Sequence, residues 1–252
     1  MNNPKSKILA MGHRGASGLA PENTIAALET AIRYDADFCE IDAQQTRDGE
    51  VVLLHDYSVS RTTNGSGKIW NLEWKDAALL DAGSWFGRSF KSERIPTLRQ
   101  AIRTVRGRMK LNVEIKLHPK QIDLPRKVVE IIEEENFVDE CMVTSFDKEA
   151  IRQIRKLNPG ITTGLITRSG IPSNLENSLF RLSVCHASIV DRELVSHLRG
   201  KQKQIVVWTV NRIANMKRFI KMGVDGIITD RPDRLQKVLN SEWMSAFRKA
   251  EM

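Results

Sequence analysis

Three stretches of the chain concentrate groups able to handle charge and protons. An apolar run ends in Gly12-His13-Arg14-Gly15. Glu40 and Asp42 stand two residues apart, as do Glu114 and Lys116. In a β-strand that spacing puts both side chains on one face. Acids facing a protein interior are costly unless they are paired or hold a cation. Glu40, Asp42 and Glu114 together form a hard oxygen set, which suits Mg2+ or Ca2+ rather than zinc or copper. The competing reading is a core salt-bridge network in which Arg14 or Lys116 neutralises the acids.

His13 and His55 add proton chemistry, because an imidazole titrates near neutrality. A pair of them flanking an electrophilic centre such as phosphorus can serve as base and acid. Arg14 and Lys116 bring fixed positive charge to the same place. Arginine suits bidentate contact with phosphoryl oxygens and lysine acts as a point charge. His118, His186 and His197 lack such neighbours and read as surface or packing residues.

These residues need elements to position them. Apolar or β-branched runs at 8–12, 38–46, 111–116, 142–146, 162–166, 187–190, 205–210 and 226–229 read as strands. Helical patterns at 24–34, 98–105, 124–134, 148–157, 192–198 and 213–221 alternate with them. Such alternation predicts βαβ units and a parallel sheet. Eight units in a chain of 252 residues predict a (β/α)8 TIM barrel forming one domain over 1–252. Active sites of this fold sit at the C-terminal strand ends. His13, Lys116, Phe146 and Trp208 all fall at such ends. Phe146 and Trp208 read either as substrate-pocket walls or as core.

One segment breaks the alternation. Asp48-Gly49 signals a hairpin, with 51–55 returning beside the second strand. Residues from about 57 to 95 then show no clean helical period and carry Trp70, Trp74, Trp85 and Phe86. This is a small insertion, either a functional loop or a packed surface unit. Glu22 and Asn23 either contact the His13 loop or cap the first helix with Thr24. Asn211 either turns to the mouth or caps a helix. Asp230, before Arg231-Pro232, reads as the start of the last helix. The tail from 241 to 252 reads as a helix.

Composition excludes some classes. Lys and Arg exceed Asp and Glu by 39 to 31, a formal charge of +8, which favours anionic ligands. No nucleic-acid-binding motif accompanies the charge. The three cysteines are widely spaced, which argues against zinc and a disulfide framework. The short apolar run after Lys5 and Lys7 is no signal-peptide core, and no stretch approaches a membrane span. A cytoplasmic location without stable membrane insertion is the expectation.

The blocks also resemble a known family. His13-Arg14-Gly15-Ala16 followed by Pro21-Glu22-Asn23-Thr24 is similar to the opening signature of the glycerophosphodiester phosphodiesterases. Glu40-Ile41-Asp42, Thr46-Arg47-Asp48-Gly49 and Val52-Leu53-Leu54-His55-Asp56 resemble its second block. Asn112-Val113-Glu114-Ile115-Lys116 resembles the third, and Trp208-Thr209-Val210-Asn211 with 223–232 resembles the C-terminal blocks. The resemblance implies a barrel with a small inserted region. It implies hydrolysis of glycerophosphodiesters, small-molecule substrates, to glycerol 3-phosphate and an alcohol. It also implies a divalent cation held by Glu40, Asp42 and Glu114, His13 and His55 as the acid/base pair, and Arg14 and Lys116 near the phosphate. The same residues would also serve a lysophospholipase D acting on lysophospholipids.

Overall fold

Alternating side chains in the strand segments close into a cylinder, with one set filling its interior and the other facing a helical layer. The computed structural model describes residues 7–121, 123–169 and 179–250. Lys5 and the last two residues of the tail lie outside them. Eight strands are parallel: β1 (Leu9–His13), β2 (Phe38–Gln45), β4 (Lys110–Ile115), β5 (Cys141–Ser145), β6 (Thr162–Thr167), β7 (Leu182–His186), β8 (Gln204–Trp208) and β9 (Gly226–Thr229). Each pairs with the next, and β9 pairs back onto β1, with Leu9 opposite Gly226. The result is a closed (β/α)8 barrel. The hairpin strand β3 (Val51–Leu53) runs antiparallel to β2, with Ala43 opposite Leu53.

The interior of the barrel is filled by Met11, Met142, Ile166, Leu182, Val184, Val206 and Ile228. The period of two continues this inward phase to His13, Glu40 and Asp42, Glu114 and Lys116, Phe146, Trp208 and Asp230. The helices form because their apolar positions recur at helical spacing. In α3 (Leu98–Val105), Leu98, Ala101, Ile102 and Val105 are buried, and Thr97 with Gln100 makes a reciprocal capping box. Thr24 caps α1 (Ile25–Arg33) by accepting from the Ala27 amide. Asp147 and Asp191 do the same for α5 (Lys148–Leu157) and α6 (Arg192–Gly200). Helices α4 (Leu124–Glu134) and α8 (Pro232–Leu239) carry proline in the first turn, and Gly223 ends α7 (Ile213–Met222) in the left-handed region. Helix α9 (Glu242–Ala250) follows in the tail.

One strand differs from the sequence expectation. Residues 187–190 form a turn before α6, and the sixth barrel strand is β7, some five residues earlier. The run Ile189-Val190 is apolar because Val190 packs under the helical layer beside Val195 and Leu198. In β7 itself, Leu182 and Val184 face the interior, while Ser183 and Cys185 on the other face break the continuous apolar run.

The insertion, after β3, has turns of 3-10 helix at Val59–Arg61, Ile69–Asn71 and Arg88–Phe90 and one short helix, α2 (Trp74–Ala77). It packs through its own apolar cluster of Val59, Ile69, Ala77, Ala82 and Ile95 onto Val52 and Leu54. Trp85 and Phe86 meet edge to face, as do Phe86 and Phe90, and they hold the insertion together.

The loop after β1 turns sharply because Arg14 and Gly15 both have positive φ, 53° and 85°. A Cβ on Gly15 would lie 2.5 Å from the Ala27 Cβ on α1. Backbone strain and overlap therefore add at this position. Gly15→Ala should lower stability by about 2–5 kcal/mol in urea unfolding. A change below about 0.5 kcal/mol would mean the loop relaxes freely.

Candidate active site

At the C-terminal ends of the strands lies a cavity of about 390 Å³. It is lined on one side by His13, Arg14, Glu40, His55, Glu114 and Lys116, and on the other by Phe146, Arg168 and Trp208. All nine site residues expected from the sequence except Asp42 line this cavity, and Asp42 lies directly behind it in the acid cluster. A larger depression of about 610 Å³, bounded by Arg155, Phe180, Arg181 and residues 200–203, opens at the opposite, N-terminal strand ends, away from both histidines.

The register of β2 and β4 sets Asp42 beside Glu114. Glu40, Asp42 and Glu114 are 3%, 1% and 9% exposed, and one carboxylate oxygen from each lies within 4.8 Å of the others. Arg14 and Lys116 both turn to Asp42, at 3.4 and 2.9 Å. Asn23 clamps the same residue, donating to Asp42 Oδ2 at 2.8 Å and accepting from its amide at 3.1 Å. Glu40 receives the Arg14 amide at 2.9 Å, and Glu114 lies 3.7 Å from Lys116 Nζ. One buried oxygen of Glu40 and one of Glu114 accept no hydrogen bond.

The electrostatics follow this geometry. Burial pushes the Asp42 carboxyl up, but Lys116 and Arg14 outweigh it and hold the group well below the carboxylate range. Burial and the Asp42 charge raise Glu40 far above its ordinary value and Glu114 to about 7. The salt-bridge reading thus holds for Asp42, reaches Glu114 only through the 3.7 Å approach of Lys116, and gives Glu40 a backbone amide in place of a paired cation. Two donorless buried oxygens in a set of three hard ligands fit a divalent cation.

Each histidine is oriented by an aspartate. His13 Nδ1 lies 2.6 Å from Asp230 Oδ1, and His55 Nδ1 lies 2.7 Å from Asp56 Oδ1. With Nδ1 so engaged, Nε2 is the nitrogen left to act in the cavity. Asp230 is itself fixed. Ser17 donates to its Oδ1, Asn211 donates to its Oδ2, and Asn211 Oδ1 accepts the Asp230 amide. Burial raises the Asp230 carboxyl, but the His13, Asn211 and Ser17 bonds bring it down to about 2. Asp56 is also near 2, held first by the Arg61 bond and then by His55. Burial lowers the His55 imidazole; Asp42 opposes this, while Lys116 and Arg14 add to it. The His55 backbone is held from below, with the Gln44 amide nitrogen 2.7–3.1 Å from the carbonyls of Leu54, His55 and Asp56. Lys116 Nζ donates to the same His55 carbonyl at 3.2 Å.

The insertion reaches this site through Arg61. Its guanidinium pairs with Asp56 behind His55 and with Glu22, which in turn pairs with Arg14 at 2.8 Å. Glu22 and Asn23 therefore serve the His13 loop, and Thr24 does the capping. Asn211 fixes Asp230, and Asp230 orients a histidine instead of capping α8, whose N-cap is Arg231. His118 stacks on Trp70 at 4.0 Å, a packing role as expected. Sequence reasoning missed Asp230 as a partner of His13, Arg61, and Arg168. The one available signal was the inward strand phase, which Asp230 and Arg168 share.

Comparison with known proteins completes the assignment. Residues 13–234 match the model of the glycerophosphoryl diester phosphodiesterase family. The chain belongs to this family. A glycerophosphodiester phosphodiesterase of Caldanaerobacter subterraneus subsp. tengcongensis is 37% identical over 238 residues, covering 91% of this chain and 96% of that one. One from Bacillus altitudinis is 33% identical over 241 residues, covering 92% and 98%. An Oleispira antarctica phosphodiesterase, solved in complex with the product sn-glycerol 3-phosphate, superposes with a TM-score of 0.88 at 31% identity, covering 92% and 97%. Among the described residues of this family member, no helix is long and apolar enough to cross a membrane.

The acid cluster makes a prediction independent of turnover. Mg2+ or Ca2+ at about 100 times its Kd should raise the melting temperature by roughly 5–10 °C. Glu114→Gln should remove most of that shift. An equal shift in the variant would place cation binding elsewhere.

Proposed function

We propose that the chain hydrolyses glycerophosphodiesters to glycerol 3-phosphate and an alcohol, using the His13 and His55 pair. The observation that carries this reading is the pairing of two aspartate-oriented histidines around one cavity with the buried carboxylate cluster. Glu40, Asp42 and Glu114 would hold a divalent cation, which when bound supplies Lewis-acid stabilisation of charge on a phosphoryl oxygen.

The chain's own groups account for the proton traffic. A phosphodiester is anionic and repels nucleophiles, and charge grows on its oxygens in the transition state. Arg14 and Lys116 place positive charge beside the cluster to meet that growth. Nε2 of one histidine takes the proton of the attacking hydroxyl as the new P–O bond forms. Nε2 of the other donates a proton to the departing alkoxide as the old P–O bond breaks. The attacking hydroxyl belongs either to water or to the substrate's own glycerol. Asp230 and Asp56 hold the rings and stabilise the imidazolium form of each.

His13→Ala and His55→Ala should each lower kcat by about 10²–10⁴ while circular dichroism and melting temperature stay near wild type. Asp230→Asn should lower kcat by at least about tenfold without a comparable rise in KM. EDTA should stop release of glycerol 3-phosphate, and Mg2+ or Ca2+ should restore it. Near-normal turnover in either alanine variant would remove that histidine from the mechanism. Faster turnover of lysophosphatidylcholine than of glycerophosphocholine would move the assignment to a lysophospholipase D.

A further inference from the structure

The wall of the cavity opposite the acid cluster has a charge of its own. Trp208 is pinned by its indole N–H, which donates to the Val184 carbonyl at 3.2 Å. Phe146 and His186 meet it edge to face, at 5.7 and 5.2 Å between ring centres. The guanidinium of Arg168 lies over this surface, 4.9 Å from the Trp208 ring and 5.6 Å from Phe146. The period-two phase of β6 places Arg168 inward, after Gly164 and Ile166.

Arg168 differs from the other cations of the cavity. Arg14 and Lys116 are committed to Glu22, Asp42 and Glu114. Among the described residues, none offers Arg168 a carboxylate within ion-pair distance. A guanidinium lying over an aromatic surface keeps N–H donors available for a planar anion. It also occupies the aromatic faces that would otherwise attract a quaternary ammonium group.

Resting on the phosphodiesterase reading, we propose that this wall is the subsite for the leaving alcohol and that Arg168 selects alcohols bearing an anionic group. The glycerol arm is uncharged in every glycerophosphodiester, so a cavity cation with no carboxylate partner among the described residues discriminates only through the other arm. Arg168 and Phe146 are both exposed at the mouth, where an arm of variable size leaves the cavity. A carboxylate or a second phosphate on the alcohol meets the guanidinium. A cationic arm meets repulsion there and finds its aromatic contacts taken, which is discrimination by attraction and exclusion together.

Glycerophosphoserine and glycerophosphoethanolamine differ by one carboxylate and form the direct test. With Mg2+ or Ca2+ present, wild type should favour the serine diester by roughly tenfold or more in kcat/KM. Arg168→Gln should bring the ratio close to one, and Arg168→Lys should keep part of the preference. Melting temperatures of both variants verify the fold. A wild-type ratio near one, or a ratio that Arg168→Gln leaves unchanged, overturns the subsite. Equal fractional losses on both diesters in Arg168→Gln also overturn it, placing Arg168 on the shared phosphoryl group. No turnover of either diester by wild type would overturn the phosphodiesterase reading and the subsite with it.

Discussion

Three carboxylates buried within 4.8 Å of one another set the terms for this end of the barrel. Like charges at that range in a low-dielectric interior cannot all ionise unless positive charge is supplied. Arg14 and Lys116 supply some of it, and both converge on Asp42. Glu40 and Glu114 keep a deficit, visible as raised proton affinity and donorless oxygens. A fold that retains such a deficit in its core gives up stability for a cluster whose chemistry suits a divalent cation. The barrel accommodates it because the acids sit on adjacent strands β2 and β4, braced by hydrogen bonds across the sheet.

The two histidines line the same cavity as that cluster. Both histidines are fixed through Nδ1, but their aspartates come from different parts of the chain. Asp56 follows His55 directly, whereas Asp230 arrives from the end of the barrel's last strand. Closing the cylinder, β9 against β1, is what brings Asp230 to His13. The insertion adds Arg61, which joins Asp56 to Glu22 and so links the two histidine loops through Arg14. The chain from His55 through Asp56, Arg61, Glu22 and Arg14 back to Asp42 is continuous. Loss of one member would be felt at several others.

Much of this was legible in the chain because period-two spacing makes Glu40 with Asp42, and Glu114 with Lys116, share a face. Strand ends that carry His13 and Trp208 announce themselves in the same way. What was hidden depends on tertiary closure or on strands without a continuous apolar run. Asp230 looks like a helix-starting residue because Pro232 follows it, and its real partner is 217 positions away. Arg168 lies one residue past β6, beyond where the apolar run ends. In β7, Ser183 and Cys185 interrupt the pattern, while the more apolar 187–190 belongs to a turn. Arg61 sits in a segment without periodicity, where spacing carries no geometric information.

The bond of the diester that is cut distinguishes this reaction from its alternatives. The most direct measurement is 31P NMR of glycerophosphoserine incubated with the protein and Mg2+ or Ca2+. Hydrolysis on the alcohol side of phosphorus predicts a glycerol 3-phosphate resonance growing as the diester signal falls. A phosphoserine resonance in its place, or an unchanged diester with the cation bound, would contradict it.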